Sequence, residues 1–354
     1  MKVLPGGTEL EPRTFLTLAR VLIVTGKGGV GKTTVSAALA NLAAKNGLRA
    51  LIVQLATPQA RLSPPDGWAP EAWQLGRLFG STEPVAYEPS VLVSHPTGGT
   101  VSARAIRPDE ALVEYLHLHG MRRLSRRLVA SGAVDVVATA IPGMPDMLVL
   151  GKVKQMERIA AAGIPDTPSL IVLDAPAAGH VVSFLQSPRG LLDAAAGGPV
   201  RAQAEEVVEM LEDPQRCRVM LVTTLEETPV SETIETARLV EERAGVQLGA
   251  VLVNGRFPTL DLPERLDPEG VGELSLSAGV RPLEAEVASL SRAGLLRAAR
   301  QASQTAQLAR LAETLPLPRL ELPFCFSSEL GPRELDELTG ALSSGVDSLA
   351  LDVS

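Results

Sequence analysis

Cysteine, aromatic residues and lysine are all scarce in this chain of 354 residues. Its two cysteines, Cys217 and Cys325, are too few for a disulfide framework or a four-cysteine zinc site, and they favour a reducing compartment such as the cytoplasm. Aromatic residues make up 3% of the chain, so the core must be mainly aliphatic. Only six of the 33 basic residues are lysines, which makes the place of each lysine informative.

Long apolar runs and a surplus of basic residues are also absent. No window of about 18 uninterrupted apolar residues is present, and residues 1–20 lack the apolar core of a secretory signal, so we expect neither a membrane span nor export. The formal net charge of −8 argues against general nucleic-acid binding, which needs a basic face. What remains is a soluble globular protein.

Short β-branched runs alternate with helical patterns along most of the chain. This alternation predicts an α/β fold with a doubly wound, mostly parallel sheet. A long helix over 284–314 is predicted to break near Gly294, and residues 258–282 are predicted to form a loop. The runs typical of buried parallel strands cover 21–25, 48–54, 91–94, 169–174, 218–223, 248–254 and 319–324.

A helical insert is predicted at about residues 105–165, where helical spacing interrupts the alternation and four of the seven methionines fall. Its apolar residues have two interpretations, a docking surface for a protein client or ordinary packing against the core. The remaining boundaries are predicted as a leader over 1–19, one domain over 20–345 and a tail over 346–354.

A phosphate-binding loop is predicted between the first strand and the helix after it. Residues 26–33 fit G-x-x-x-x-G-K-[ST], in which glycines let backbone N–H groups wrap an anion. Lys32 is predicted to reach the β- and γ-phosphates of ATP, and the Thr33 hydroxyl to hold Mg²⁺. The predicted nucleotide-binding residues here are Gly28, Gly29, Val30, Gly31, Lys32, Thr33 and Thr34.

A second lysine in this loop, Lys27, is not needed to bind phosphate in the same chain. The run K-G-G-x-G-K-T-T resembles the deviant phosphate loop of the MinD/ArsA (SIMIBI) class of ATPases. The resemblance implies a P-loop fold in which Lys27 reaches the nucleotide of another subunit. It therefore implies a homodimer, or a heterodimer with a related ArsA-like chain.

Two further segments resemble the arsenite-transport ATPase family, which includes the ATPase that targets tail-anchored proteins and paired actinobacterial relatives. The run D-A-P-A-A-G-H from Asp174 to His180 resembles its switch II. At the end of a strand, Asp174 is predicted to hold Mg²⁺ with Thr33, with a helix N-cap as the alternative. His180 is predicted to be a sensor or a packing residue. Asn254 resembles the family's adenine-reading Asn, and a turn role is its alternative.

The acid that orients the attacking water in this family is missing. Where the family carries D-P-A after the second strand, this chain has Thr57, Pro58 and Gln59. Because threonine cannot act as a carboxylate, Gln54, Gln59 and Asp66 are left as candidates to orient water. We therefore expect the chain to bind ATP well and to hydrolyse it slowly or not at all alone.

Several functions compete on these residues. The first is a dimer-forming ATPase that acts as a conformational switch, with Lys27, Lys32 and Asp174 as catalytic residues. The second is a non-hydrolysing regulatory subunit that pairs with a related active ATPase. A kinase or amidoligase would need an acceptor motif, which is not visible. Arsenite efflux is disfavoured because two cysteines cannot supply a trio of thiolates.

Overall fold

One sheet organises the chain in the computed structural model, which describes residues 11–56, 71–118, 120–139 and 141–351. Eight strands make up the sheet within these ranges. They are β1 (Val21–Gly26), β2 (Arg49–Leu55), β3 (Ser90–Ser94), β4 (Thr100–Ile106), β5 (Leu170–Asp174), β6 (Cys217–Thr223), β7 (Leu248–Arg256) and β8 (Arg319–Pro323).

The strands lie in the order β3-β4-β2-β5-β1-β6-β7-β8. Every neighbouring pair is parallel except β3 and β4, which pair in antiparallel fashion at one edge. β1 thus lies between β5 and β6, with later strands on both sides. This confirms the predicted doubly wound, mostly parallel α/β fold.

Helices cover both faces of the sheet. Within the described ranges they are α1 (Pro12–Leu16), α2 (Lys32–Lys45), α3 (Glu71–Leu78), α4 (Pro108–Leu118), α5 (Arg122–Ser131), α6 (Val134–Thr139), α7 (Met144–Ala161), α8 (Ala178–Ala194), α9 (Pro199–Glu212), α10 (Glu227–Leu239), α11 (Pro268–Ser277), α12 (Glu284–Thr314) and α13 (Pro332–Leu351).

Alternate residues of each strand enter two separate aliphatic cores. On β1, Leu22 and Val24 pack with α2 and α13, whereas Val21 and Ile23 pack on the other face with α7, α8, α9 and α10. This division follows from the two-residue period of a strand. The predicted insert consists of α4 to α7. Its helix α7 packs directly on the second core, through Met147, Leu150 and Val153 among others.

Several local predictions were wrong, two of them because of a tertiary contact and one because a helix cap was missed. β4 was not predicted, since Arg104 interrupts its apolar pattern, yet Arg104 is buried with its guanidinium 4.7 Å from the Tyr87 ring centre. α12 is continuous through Gly294, which lies against Leu266, where a Cβ atom would come within 2.9 Å of Leu266 Cδ2. α11 lies inside the predicted loop and begins after Asp267, which accepts a hydrogen bond from the Gly270 N–H.

Both predicted chain ends contain helix in their described parts. In the predicted leader, α1 buries Phe15 and Leu16 against the first core. α13 continues past residue 345 to Leu351, with Val346 buried. The described residues at each end are therefore packed on the same sheet as the rest of the chain.

A buried carboxylate joins the insert to the sheet. Glu157 of α7 is 1% exposed, and its oxygens accept hydrogen bonds from Arg20 Nε at 2.6 Å and from Arg216 at 2.7 and 3.2 Å. Arg20 precedes β1 and Arg216 precedes β6. Burial would raise the pKa of Glu157, but the hydrogen bonds from Arg216 and Arg20 outweigh it and lower the pKa below its ordinary value.

We expect Glu157→Gln to lower the free energy of unfolding by about 2 kcal/mol at neutral pH, because it removes the charge that two arginines share. A carboxyl whose folded pKa is lowered contributes stability above its unfolded pKa of about 4.3, and loses it as the pH falls through the folded value. Melting temperatures measured from neutral to acid pH should therefore converge for the two proteins.

Glu269→Gln is the matched control, because Glu269 also pairs with an arginine, Arg265, but its side chain is 78% exposed. Exposed pairs contribute little, so its melting temperature should change negligibly. Equal losses in the two variants, or a difference that persists at acid pH, would contradict the role assigned to Glu157.

Candidate functional site

The predicted phosphate loop connects β1 to α2, and its glycines are required by its shape. Gly29 and Gly31 have φ of +86° and +90°, a left-handed conformation that other residues rarely adopt. A Cβ atom on Gly26 would lie 2.1 Å from the Val222 carbonyl oxygen of β6. The backbone can therefore turn back over the end of β1 only with glycine at these positions.

The inside of this loop is suited to an anion. A Cβ atom on Gly28 or Gly29 would meet nothing within 4 Å among the described residues, so space remains over the loop. No side chain in the described ranges caps the N-terminus of α2, whose first N–H groups point towards the loop. The Lys32 ammonium lies 3.4 Å from the Lys27 carbonyl oxygen, which keeps it folded over the loop. Glycine backbone, helix N-terminus and ammonium together form a cradle that is suited to a phosphate group.

Two oxygen ligands suitable for Mg²⁺ meet beside the cradle. The Thr33 hydroxyl donates a hydrogen bond of 2.6 Å to Asp174 Oδ2. β5 brings Asp174 there, because Asp174 lies opposite Val24 in the parallel β1–β5 pair. Since the N-cap of α8 is Ala177, Asp174 is not the helix cap that was the alternative. A hydroxyl and a carboxylate at the edge of a phosphate cradle fit Mg²⁺, which prefers oxygen ligands and also binds phosphate.

Asn254 contacts the loop from the end of β7. Its Nδ2 donates a hydrogen bond of 2.8 Å to the Val30 carbonyl oxygen, and a Cβ atom on Gly31 would lie 2.3 Å from the same Nδ2. Asn254 therefore supports the far side of the cradle. The adenine-reading role remains a prediction.

Lys27 is held by an acid of its own chain. Its ammonium forms an ion pair with the carboxylate of Glu232 on α10, and the two side chains are 33% and 37% exposed. No local sequence pattern indicates this pair, because 205 residues separate its members. Lys27 is therefore paired within its own chain, whereas the Lys32 ammonium lies over the loop.

The residues around the missing acid are only partly described. Thr57, Gln59 and Asp66 lie outside the described residues. Gln54 is described, at the end of β2, where it lies opposite Asp174 in the β2–β5 pair. His180 is exposed in the first turn of α8. Burial raises the pKa of Asp146 on α7, and the nearby charge of His180 lowers it in part.

Comparisons with known proteins agree with this geometry. Residues 21–314 match the family described as the CobQ/CobB/MinD/ParA nucleotide binding domain. The chain is 34% identical over 330 residues to the ATPase BagA of Mycobacterium tuberculosis, covering 90% of this chain and 91% of that protein. The chain belongs to the ArsA-like family of MinD-type P-loop ATPases. The predicted family is thereby confirmed.

The arsenical pump-driving ATPases of this family are more distant from the chain. The one from Escherichia coli is 27% identical over 268 residues, which are 67% of this chain and 39% of that protein. A putative arsenical pump-driving ATPase of Halobacterium salinarum is 26% identical over 256 residues, 68% of this chain and 36% of that protein. The matched part of each of these two proteins is therefore less than half of its length.

Metal sites built from clustered side chains are absent from the described ranges, where no three His, Cys, Asp or Glu residues are placed to share an ion. Cys217 is buried, and burial raises the pKa of its thiol well above the ordinary value. Cys325 is half-buried on the opposite side of the sheet. Neither thiol belongs to a metal cluster in the described chain.

Among the helices of the described ranges, none combines the length and the apolar character needed to cross a membrane.

The cradle predicts the effect of adding one methyl group. Gly31→Ala would place a Cβ atom on Asn254 in a left-handed backbone, so we expect the affinity for a fluorescent ATP analogue to fall about tenfold or more. The measurement is a fluorescence titration of the purified chain.

Gly98→Ala provides the matched control, because Gly98 also has a positive φ, +82°, but no heavy atom lies within 4 Å of its added Cβ. Both variants carry backbone strain, and only Gly31→Ala alters the loop. If the two bind the analogue equally well, the glycine requirement of the cradle is refuted.

Proposed function

We propose that this chain is a cytoplasmic ATPase that binds Mg²⁺–ATP in the loop over residues 26–34 and acts as a nucleotide-dependent switch in a dimer. The observation that carries the proposal is the contact between Thr33 and Asp174 beside a glycine cradle covered by Lys32. In this proposal Lys32 binds the β- and γ-phosphates, and Thr33 and Asp174 hold Mg²⁺. When bound, Mg²⁺ neutralises phosphate charge.

Dimer formation is proposed because Lys27 has no role in the cradle of its own chain. Its ion pair with Glu232 is partly exposed, so the lysine can leave without uncovering a buried charge. By its resemblance to the MinD/ArsA class, Lys27 would then contact the nucleotide of a partner, either a second copy or a related ArsA-like chain. Glu232 would hold Lys27 until that partner is present.

The route from nucleotide to insert is proposed to run through α8. This helix begins four residues after Asp174, and its Val181, Phe184 and Leu185 share the second core with Met147 and Leu150 of α7. A movement of Asp174 on ATP binding would shift α8 and hence α7. Helices packed in this way transmit small shifts because a close-packed core deforms little.

A protein client is proposed to dock on the insert. A cavity of about 760 Å³ lies between α4, α7 and α9. Apolar residues of all three helices line it, and Ile159 and Val200 at its wall are more than one-third exposed. Such a cavity is suited to an apolar segment of a client, and the methionines in its lining are Met121, Met144 and Met147.

The first test measures ATP turnover by the chain alone. Because Thr57 replaces the water-orienting acid, we expect a rate well below about 1 s⁻¹, the lower end of typical enzyme turnover. Lys32→Ala should abolish binding of the fluorescent ATP analogue in the titration described for Gly31→Ala. Full binding by Lys32→Ala would remove the basis of the proposed cradle.

A second arm of this test separates the switch ATPase from a regulatory subunit. A related ArsA-like chain is added to wild type and to Lys32→Ala. Turnover that needs Lys32 of this chain supports the proposed ATPase. Turnover of the mixture that is unchanged by Lys32→Ala supports the regulatory subunit instead.

The second test concerns the ion pair of Lys27. Glu232→Gln frees Lys27, so the ATP-dependent dimer should tighten about two- to fivefold, the range of an exposed ion pair. Lys27→Ala should keep ATP affinity and weaken the dimer. Dissociation constants from analytical ultracentrifugation with ATP provide both results.

Glu242→Gln is the control for this test, because Glu242, three residues after the end of α10, forms an exposed pair with Arg238 of α10 rather than with a residue of the loop. Its dimer should resemble wild type. A dimer that Glu232→Gln weakens, or that Lys27→Ala leaves intact, would overturn the assigned role of this pair.

A further inference from the structure

A buried amide at the end of β2 has no role in the function proposed above. Gln54 is 7% exposed, and its Oε1 is buried without a hydrogen-bond partner among the residues that the structure describes. A buried acceptor that has lost its bond to water and gained no other is costly, so native proteins rarely contain one without a reason. The position of Gln54 in the sheet indicates which donor could supply a hydrogen bond to this oxygen.

Gln54 shares a sheet face and an edge with Asp174. Along β2, Ala50 and Ile52 enter the first core, and the two-residue period turns Gln54 to that same face. Along β5, Leu170 and Val172 enter this core, so the Cβ atom of Asp174 lies on the same face of the sheet. The two residues lie opposite each other on neighbouring strands, which places their backbones about 5 Å apart.

The helix over this face is α2, whose first turn carries Thr33. Thr33 is hydrogen-bonded to Asp174, and Gln54 is the neighbour of Asp174 on β2. The side chain of Gln54 therefore lies next to the pair of oxygens that fits Mg²⁺. It lies on the β4 side of Asp174, whereas the phosphate loop lies on the β1 side. Gln54 is therefore a neighbour of the proposed ion rather than a ligand of the phosphates.

The hydration shell of a Mg²⁺ ion held beside Asp174 would supply the missing donor. Mg²⁺ loses water reluctantly and keeps several water molecules when it binds to a nucleotide and one or two protein oxygens. Those water molecules are polarised and donate strong hydrogen bonds, for which a nearby oxygen acceptor is needed. In this chain the usual acid after β2 is replaced by Thr57.

We propose that Gln54 Oε1 accepts a hydrogen bond from the hydration shell of the Mg²⁺ in bound Mg²⁺–ATP, and so positions the ion from the β2 side. The inference rests on the proposed function. A neutral amide supplies the acceptor without the negative charge of a carboxylate, and it does not take up a proton. Gln54 is a positioning residue that strengthens Mg²⁺-dependent binding.

The test compares two substitutions of similar size. Gln54→Met removes the acceptor, and Gln54→Glu keeps an oxygen at the same place. A fluorescent ATP analogue is titrated in EDTA and over a series of Mg²⁺ concentrations. We expect Gln54→Met to raise about tenfold the Mg²⁺ concentration at which half of the Mg²⁺-dependent increase in binding is reached. This change matches the loss of one hydrogen bond to a charged group. Binding of the analogue in EDTA should be unchanged. Gln54→Glu keeps an acceptor oxygen and adds a negative charge, so it should not raise this Mg²⁺ concentration.

Melting in the absence of ligand distinguishes this role from a purely structural one. If Gln54 acts on the ion, the melting temperature of Gln54→Met without ligand should be unchanged or slightly higher, because the variant removes a buried acceptor that has no partner in the described chain. Ser36→Ala is the control, because Ser36 of α2 is fully buried and its Oγ also lacks a partner among the described residues. Its Mg²⁺ dependence should equal that of wild type.

The outcomes separate this inference from the proposed function. Mg²⁺-dependent binding by wild type that Gln54→Met leaves unaltered overturns the role of Gln54 alone. A wild-type chain that binds no analogue, or binds it equally well in EDTA, overturns the proposed function as well. A lower melting temperature with an unaltered Mg²⁺ dependence also overturns the inference, since Gln54 would then act in packing.

Discussion

The hydrogen bond between Thr33 and Asp174 depends on the place of β1 in the sheet. It joins residues 141 positions apart, and it forms because β1 lies directly beside β5 with Val24 opposite Asp174. Since side chains alternate along a strand, a shift of one residue in this pairing would turn Asp174 away from α2. The register of two buried strands therefore determines whether the cradle has a carboxylate at all.

Two aliphatic cores fix that register from opposite sides. The first core packs α2 on the sheet, and the second packs α7 and α8 on its other face. Asp174 lies at the edge where both meet, directly before the segment that leads into α8. Near the C-terminal end of α7, Glu157 forms ion pairs with Arg20 and Arg216, which directly precede β1 and β6. The insert is thus joined to the sheet at one end by an ion pair and at the other by the helix that follows the site.

Much of the fold could be predicted from local sequence, since the buried strands are β-branched and the loop needs glycine. The left-handed Gly31 and the lysine after it are local requirements, so the motif alone located the cradle. β4 was not predicted because Arg104 is a charged residue within its sequence. In the structure Arg104 is buried, with its guanidinium over the Tyr87 ring. α12 continues past Gly294, where the absence of a side chain leaves room for Leu266, a residue outside the helix.

The pairing of Lys27 with Glu232 depends on long-range folding and no local pattern indicates it. It also explains how two lysines can share one glycine loop. Lys32 has no carboxylate partner in the described chain, so its charge and the N-terminus of α2 are available to phosphate. Lys27 is paired with Glu232, so the two ammonium groups of the loop have different partners. Because both members of that pair are about one-third exposed, the attraction is weak enough to be exchanged for another anion, and the strongest one near this edge would be a triphosphate.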